Sequence, residues 1–212
     1  MRCPSGLYVV LLGIGLAGCA PARFAAPDPD YPAERNRSRV VVLESSRSGD
    51  MSGPTRRVAR RVSAELALRW FNLVDRDLLL LRSPDLDVDL TRTVPTLQSG
   101  GAPPADLVAR LADTSGVGQV LLVDVFQHEQ VWGREARVTR VGVVARLIRL
   151  ADGHTLWEGR CSPEVVGARG SGVEATEERA ARELVRLLQG EKTPLGETPI
   201  ATWPVLEYVI PE

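Results

Sequence analysis

The alternation of apolar and polar positions divides the chain into an apolar leader, a long region of periodic segments and a Pro-rich end. The first strand signal is Val40-Val41-Val42-Leu43, an unbroken apolar run of the kind found in strands buried on both faces. A helix is predicted from Thr55 to Trp70. Val58, Val62 and Leu66 recur every four residues there, with Ala59 on the same face. "FNLVDR", residues 71–76, predicts a second strand that buries Phe71, Leu73 and Val74. The "DLLLLRS" after it either extends that strand or begins a short helix. Residues 83–104 are polar and Pro-rich, and a loop is expected.

A helix from Pro104 to Thr114 follows, with Leu107, Val108 and Leu111 on one face. "VGQVLLVDVFQ" is the strongest strand. Val120, Leu122 and Phe126 face one way, and Leu121, Val123 and Val125 face the other, which marks a central position. After a polar break, "HEQVWGRE", the next strand alternates Val141, Val143, Ala145 and Leu147 against a mixed row of Arg140, Gly142, Val144, Arg146 and Ile148. Asp152-Gly153 predicts a tight hairpin with positive φ values, returning through Thr155–Glu158. A last helix spans Gly172 to Leu188, with Ala180, Leu184, Leu187 and Leu188 as its stripe and Gly190 as its stop. The predicted fold class is α/β (α+β): a mixed sheet of about five strands in the order β-α-β-α-β-β-β-α, with helices mainly on one face.

The ends of the chain read differently. Leu7 to Leu16 is apolar but well short of the roughly 20 residues of a spanning helix, and it follows Arg2 as a signal-peptide core does. It ends in Leu16, Ala17, Gly18 and Cys19, which resembles the lipobox of bacterial lipoproteins. That resemblance implies cleavage before Cys19, acylation of its thiol and its new amine, and attachment to a membrane. More than one acyl chain is what stable anchoring needs. Ala20 in place of Asp leans towards the outer membrane, with the domain facing the periplasm.

The expected organisation is therefore a signal peptide (1–18), a lipidated Pro/Ala-rich tether (19–38), an α/β domain (39–189) and a Pro-rich tail (190–212). A tether of that composition stretches to roughly 50 Å at about 3.1 Å per residue. The alternative is that part of it packs on the domain through Phe24 or Tyr31. The tail's "WPVLEYVI" either packs back or binds a partner, and packing is favoured.

Composition narrows the function. The net charge is −1, so no strong pull on nucleic acid or on membrane surfaces is expected. Of three cysteines, Cys3 leaves with the leader and Cys19 carries lipid, so Cys161 has no disulfide partner within the chain and reads as a buried side chain. His128 and His154 lack ligand or triad spacing. Asp85, Asp87 and Asp89 lack the rest of a calcium loop. No metal, cofactor or catalytic residue is expected, and the chain reads as a non-enzyme.

Arg56, Arg57, Arg60 and Arg61 crowd the N-terminal turns of a helix, where positive charge is unfavourable. They are either an anionic contact or a solvated basic face, the latter favoured. Trp132, Trp203 and Tyr208 are candidate partner anchors, with a core role equally open.

The ordered set "FNLVDR", "GVGQVLLVDVF" and "ADGHTLWEGR" resembles a periplasmic α/β domain family over residues 39–189. It includes the TolB N-terminal domain, the curli-secretion lipoprotein and the lipoprotein activator of a penicillin-binding protein. The resemblance implies a lipid-anchored envelope protein that binds a protein partner as an accessory or assembly factor. The alternatives are an auxiliary lipoprotein of an ABC-transport system and a self-assembling ring component. A membrane-spanning hairpin like that of the curli protein is not expected around His128–Glu135, which is short and polar.

Overall fold

The computed structural model describes residues 23–45, 51–69, 72–132, 137–167 and 172–190. Its elements run β1 (Arg23–Pro27), α1 (Tyr31–Glu34), β2 (Arg39–Glu44), α2 (Ser52–Ala67), β3 (Leu73–Val74), α3 (Arg76–Arg82), α4 (Leu86–Gln98), α5 (Ala105–Ser115), β4 (Val117–Trp132), β5 (Arg137–Arg149), β6 (Thr155–Cys161), β7 (Glu164–Gly167) and α6 (Gly172–Leu188). One mixed sheet has the order β1-β6-β5-β4-β2-β3, with β7 paired to the far part of β5. β2 is parallel to β3 and β4; the other pairs are antiparallel.

The mixed α/β sheet is the expected class, but it differs in two respects. Among the described residues it has seven strands rather than about five, and helices lie against both faces. On the first face, α2 and α6 cover Val40, Val42, Leu121, Val123, Val143 and Trp157. Val58, Val62 and Leu66 of α2 are fully buried there, each worth about 1.5–3 kcal/mol of transfer free energy. On the second face, Leu79 of α3, Leu86, Leu90 and Leu97 of α4 and Leu107 and Leu111 of α5 cover Val41, Leu43, Val120 and Leu122.

This second cover exists because residues 83–104 are not a loop. Leu86, Leu90, Thr93 and Leu97 recur at helical spacing and are buried. Asp87 and Asp89 sit in the first turn of α4, where the helix dipole favours negative charge. Pro95 stands inside α4 near its end and does not break it. The "DLLLLRS" ambiguity resolves to α3, whose Asp75 caps the amides of Asp77 and Leu78.

Part of the Pro/Ala-rich stretch packs on the domain. Arg23–Pro27 adds a strand to the sheet edge beside β6, and Tyr31 is buried with its hydroxyl donating to the Leu188 carbonyl. Burial pushes the Tyr31 phenol up to about 12. Pairing with β6 satisfies backbone groups that a free tether leaves to water.

Two further expectations change. The polar break after Phe126 is a continuation of β4 to Trp132, paired with β5 down to Trp132↔Arg137. The hairpin is not a two-residue turn: the amide of Arg149 reaches the carbonyl of His154, and only Gly153 has positive φ (73°). Asp152 instead accepts hydrogen bonds from Arg149 and from the His154 amide.

Candidate interaction surface

The covers of the two faces are unequal. α3, α4 and α5 pack over β3, β2, the start of β4 and Ile148 at the end of β5, and no described helix follows over the rest of β5, β6 and β1. The registers align two rows across this part, each ending on a buried residue of β4: Phe24–Arg160–Val144–Asp124 and Ala26–Glu158–Arg146–Leu122. Arg146 pairs with Glu158 at 2.8 Å and donates to the Gln98 carbonyl at the edge of α4.

Phe126 completes the patch through a bulge. β4 and β5 shift register between Val125 and Gln127, so Phe126 has no partner across the ladder. Its ring lies over Gly142, where a Cβ would meet ring carbons at 2.5 and 2.6 Å. The Arg160 guanidinium stands 4.0 Å from the ring centroid. Phe24 is 46% exposed and Phe126 37%. Two exposed aromatic rings flanked by paired and stacked arginines have the composition of a protein contact surface.

The same bulge reverses the parity of β4 beyond it, so His128 is level with Val141 on the helix-covered face. There its Nε2 is 3.4 Å from a carboxylate oxygen of Glu177, a fully buried side chain of α6. Arg57 donates three hydrogen bonds to Glu177, at 2.8 to 3.2 Å, and Arg61 approaches to 3.7 Å. These bonds raise the Arg57 pKa above its ordinary value.

The arginine cluster of α2 therefore splits. Arg57 and Arg61, one turn apart, neutralise a buried carboxylate. Arg56 and Arg60 turn to a cleft of about 680 Å³ between α2, β3 and α3. Arg56 pairs there with Glu44 at 3.4 Å, while Arg60 makes no ion pair among the described residues. Arg76 lines the same cleft and pairs with Glu44 and Asp87. Four carboxylates in this lining, Glu44, Asp75, Asp77 and Asp87, oppose the three arginines, so the cleft is not simply an anion site. Asp85 and Asp89 pair with Arg110.

Glu177 was the residue sequence reasoning missed. Its position was a signal: it falls on the α6 stripe, three and seven residues before Ala180 and Leu184. A charged residue on an apolar stripe implies a buried partner.

Trp132 is 62% exposed, with the Arg137 guanidinium 4.2 Å from its ring centroid. The structure thus separates it from the patch around Phe126, at the far end of the hairpin. Cys161 is buried beside the Ala180 carbonyl, as expected of a packing cysteine. Leu16, Ala17, Gly18, Cys19, Trp203 and Tyr208 lie outside the described residues.

No family model and no curated protein matches this sequence. Solved structures do match. The PelC dodecamer from Paraburkholderia phytofirmans overlaps 79% of this chain and 96% of its own, at 14% identity and a TM-score of 0.50. The chain is similar in fold to PelC. Looser overlaps are with lipoprotein GNA1162 from Neisseria meningitidis, covering 72% of this chain and 99% of that one at 18% identity and a TM-score of 0.39. Protein XCC0632 from Xanthomonas campestris, of the DUF330 type, covers 78% and 91% at 14% identity and a TM-score of 0.35. Identities this low speak to the fold alone. The match to PelC shows a shared fold, and no match supports the narrower resemblance to TolB or to the penicillin-binding-protein activator.

Proposed function

We propose that this protein is a non-catalytic, lipid-anchored component of the bacterial envelope that docks a protein partner on the open part of its sheet. The reading places it at the outer membrane, facing the periplasm, as an accessory or assembly factor. The observation that carries it is the bare face itself, with Phe24, Phe126 and the Arg160 stacked on it. The Leu16-Ala17-Gly18-Cys19 motif supports the anchor.

Two experiments test the parts separately. Cys19→Ser is expected to leave the chain uncleaved and without incorporated palmitate; a processed, soluble product of mature size overturns the anchor. Replacing Phe24 and Phe126 by Asp is expected to abolish recovery of a single crosslinked envelope protein from intact cells while the domain stays folded. Unchanged recovery overturns the docking face.

Self-assembly is a second reading, favoured by the fold shared with a protein whose structure is a dodecamer. A mass that rises with concentration to a fixed multiple of the monomer supports it. A lipid-handling transport role gains less support, because the cleft beside α2 is lined by Glu44, Arg56, Arg60, Asp75, Arg76, Asp77 and Asp87, charges that disfavour an acyl chain.

A further inference from the structure

We propose that the end of β4 at Val131 and Trp132 and the start of β5 at Arg137 rest in the headgroup layer of the membrane that holds Cys19, with Trp132 and Arg137 at the lipid–water boundary; this rests on the lipobox reading above. The argument begins with strand direction. β1 runs from Arg23 to Pro27, antiparallel to β6, which is antiparallel to β5. Arg23 is level with Cys161, and Cys161 with Val143. The chain therefore enters the sheet at the end where β4 and β5 reach Trp132 and Arg137.

Length decides the rest. From the level of Val143, β5 extends back to Arg137, about 20 Å at the usual strand rise. Between Cys19 and Arg23 only Ala20, Pro21 and Ala22 intervene, which span at most about 14 Å. The leash is shorter than the overhang and leaves from the same end of the sheet. A domain standing along its strands brings Trp132 and Arg137 to the headgroups before the leash is taut.

The chemistry at that end suits the contact. Trp132 and Val131 are 62% and 49% exposed, and the Arg137 guanidinium stacks on the indole. An indole is favoured at the boundary between acyl chains and headgroups, and arginine reaches lipid phosphates while its stem stays apolar. β7 pairs with β5 from Arg137 to Arg140, so three strands support this end. The contact is interfacial, because Glu129, Gln130 and the Arg140–Glu164 pair give the hairpin no continuous apolar row with which to span. Among the described residues, the β5–β6 turn at the opposite end of the sheet exposes Ala151, Asp152 and His154 and no Trp, Tyr or Phe.

The test uses the full chain, processed in a bacterium and reconstituted into vesicles of phosphatidylethanolamine and phosphatidylglycerol. Val131→Cys and, in a separate protein, Ala151→Cys receive a fluorophore; Cys161 is fully buried and an acylated Cys19 does not react. Spin-labelled headgroups are expected to quench the label at 131 at least twofold more than the label at 151. Adding Trp132→Ala is expected to remove that difference, and Trp132→Tyr to retain most of it. Equal quenching at both positions on vesicles that carry the protein through flotation overturns the proposal and leaves the anchor intact. Failure to float overturns the lipobox reading, and the proposal with it.

Discussion

The two faces of β5 and β6 have opposite surroundings. On one, Val141, Val143, Ala145, Leu147 and Trp157 lie under α2 and α6 with essentially no exposure. On the other, the same strands present Val144, Glu158 and Arg160 with no described helix packed over them, and Arg146, which touches the Gln98 carbonyl at the end of α4. Each face holds an aromatic ring laid over a glycine: Trp157 over Gly159 and Phe126 over Gly142. One ring is sealed by helices and the other is left partly in water. The same local packing device thus serves stability on one face and leaves a surface free for contact on the other.

The largest effect expected from breaking this contrast is at Trp157. Trp157→Ala should cost about 3–5 kcal/mol in denaturant unfolding, as buried aromatic truncations do. Phe126→Ala should cost less than about 1 kcal/mol, since part of its ring already meets solvent. Equal costs would mean that the open face is as structural as the covered one.

A smaller difference is expected within α2. Arg57→Ala leaves the buried Glu177 carboxylate with only the more distant Arg61 and His128, and should cost about 2–3 kcal/mol, less than a fully buried pair because Arg57 is half exposed. Arg60→Ala should change stability by no more than about 0.5 kcal/mol. Gly159→Ala should cost about 1–3 kcal/mol, because its Cβ would sit 2.1 Å from the Trp157 ring.

The smallest effect is at the Arg149–Asp152 turn. Hydrogen bonds from Arg149 hold the Asp152 carboxyl at about 2, below its ordinary 3.8. A depressed folded pKa stabilises above the unfolded value and is lost as pH falls through the folded one. Asp152→Asn should therefore cost at most about 0.5 kcal/mol at pH 7, this pair being exposed and screened, and a small fraction of that at pH 2, where the folded carboxyl is half protonated. Melting temperatures of both proteins across that range check the sign.

Much of this contrast was legible in the sequence. The alternation along β5 already separated an apolar row from a mixed one, and the spacing in α2 and α6 named the cover of the apolar row. The other cover was hidden because composition outweighed spacing. The prolines and aspartates of residues 83–104 read as loop, although Leu86, Leu90 and Leu97 kept a helical period. The alternation along β4 holds as far as Phe126 and reverses after it, because a bulge adds one residue and turns every later side chain to the opposite face. Nothing local in the sequence marks that bulge. The Pro/Ala-rich stretch entered the sheet as β1 through non-local pairing with β6, which no local pattern reports.

The central claim is that the bare face is where a partner docks. Its most direct test is site-specific photocrosslinking in intact cells, with the reactive side chain placed at Phe24, at Phe126 and, as a comparison, at exposed Glu178 on α6. The account predicts one and the same envelope protein, or a second copy of this chain, joined from Phe24 and Phe126 and absent from Glu178. Adducts from Glu178 alone, or equally from all three positions, would contradict it.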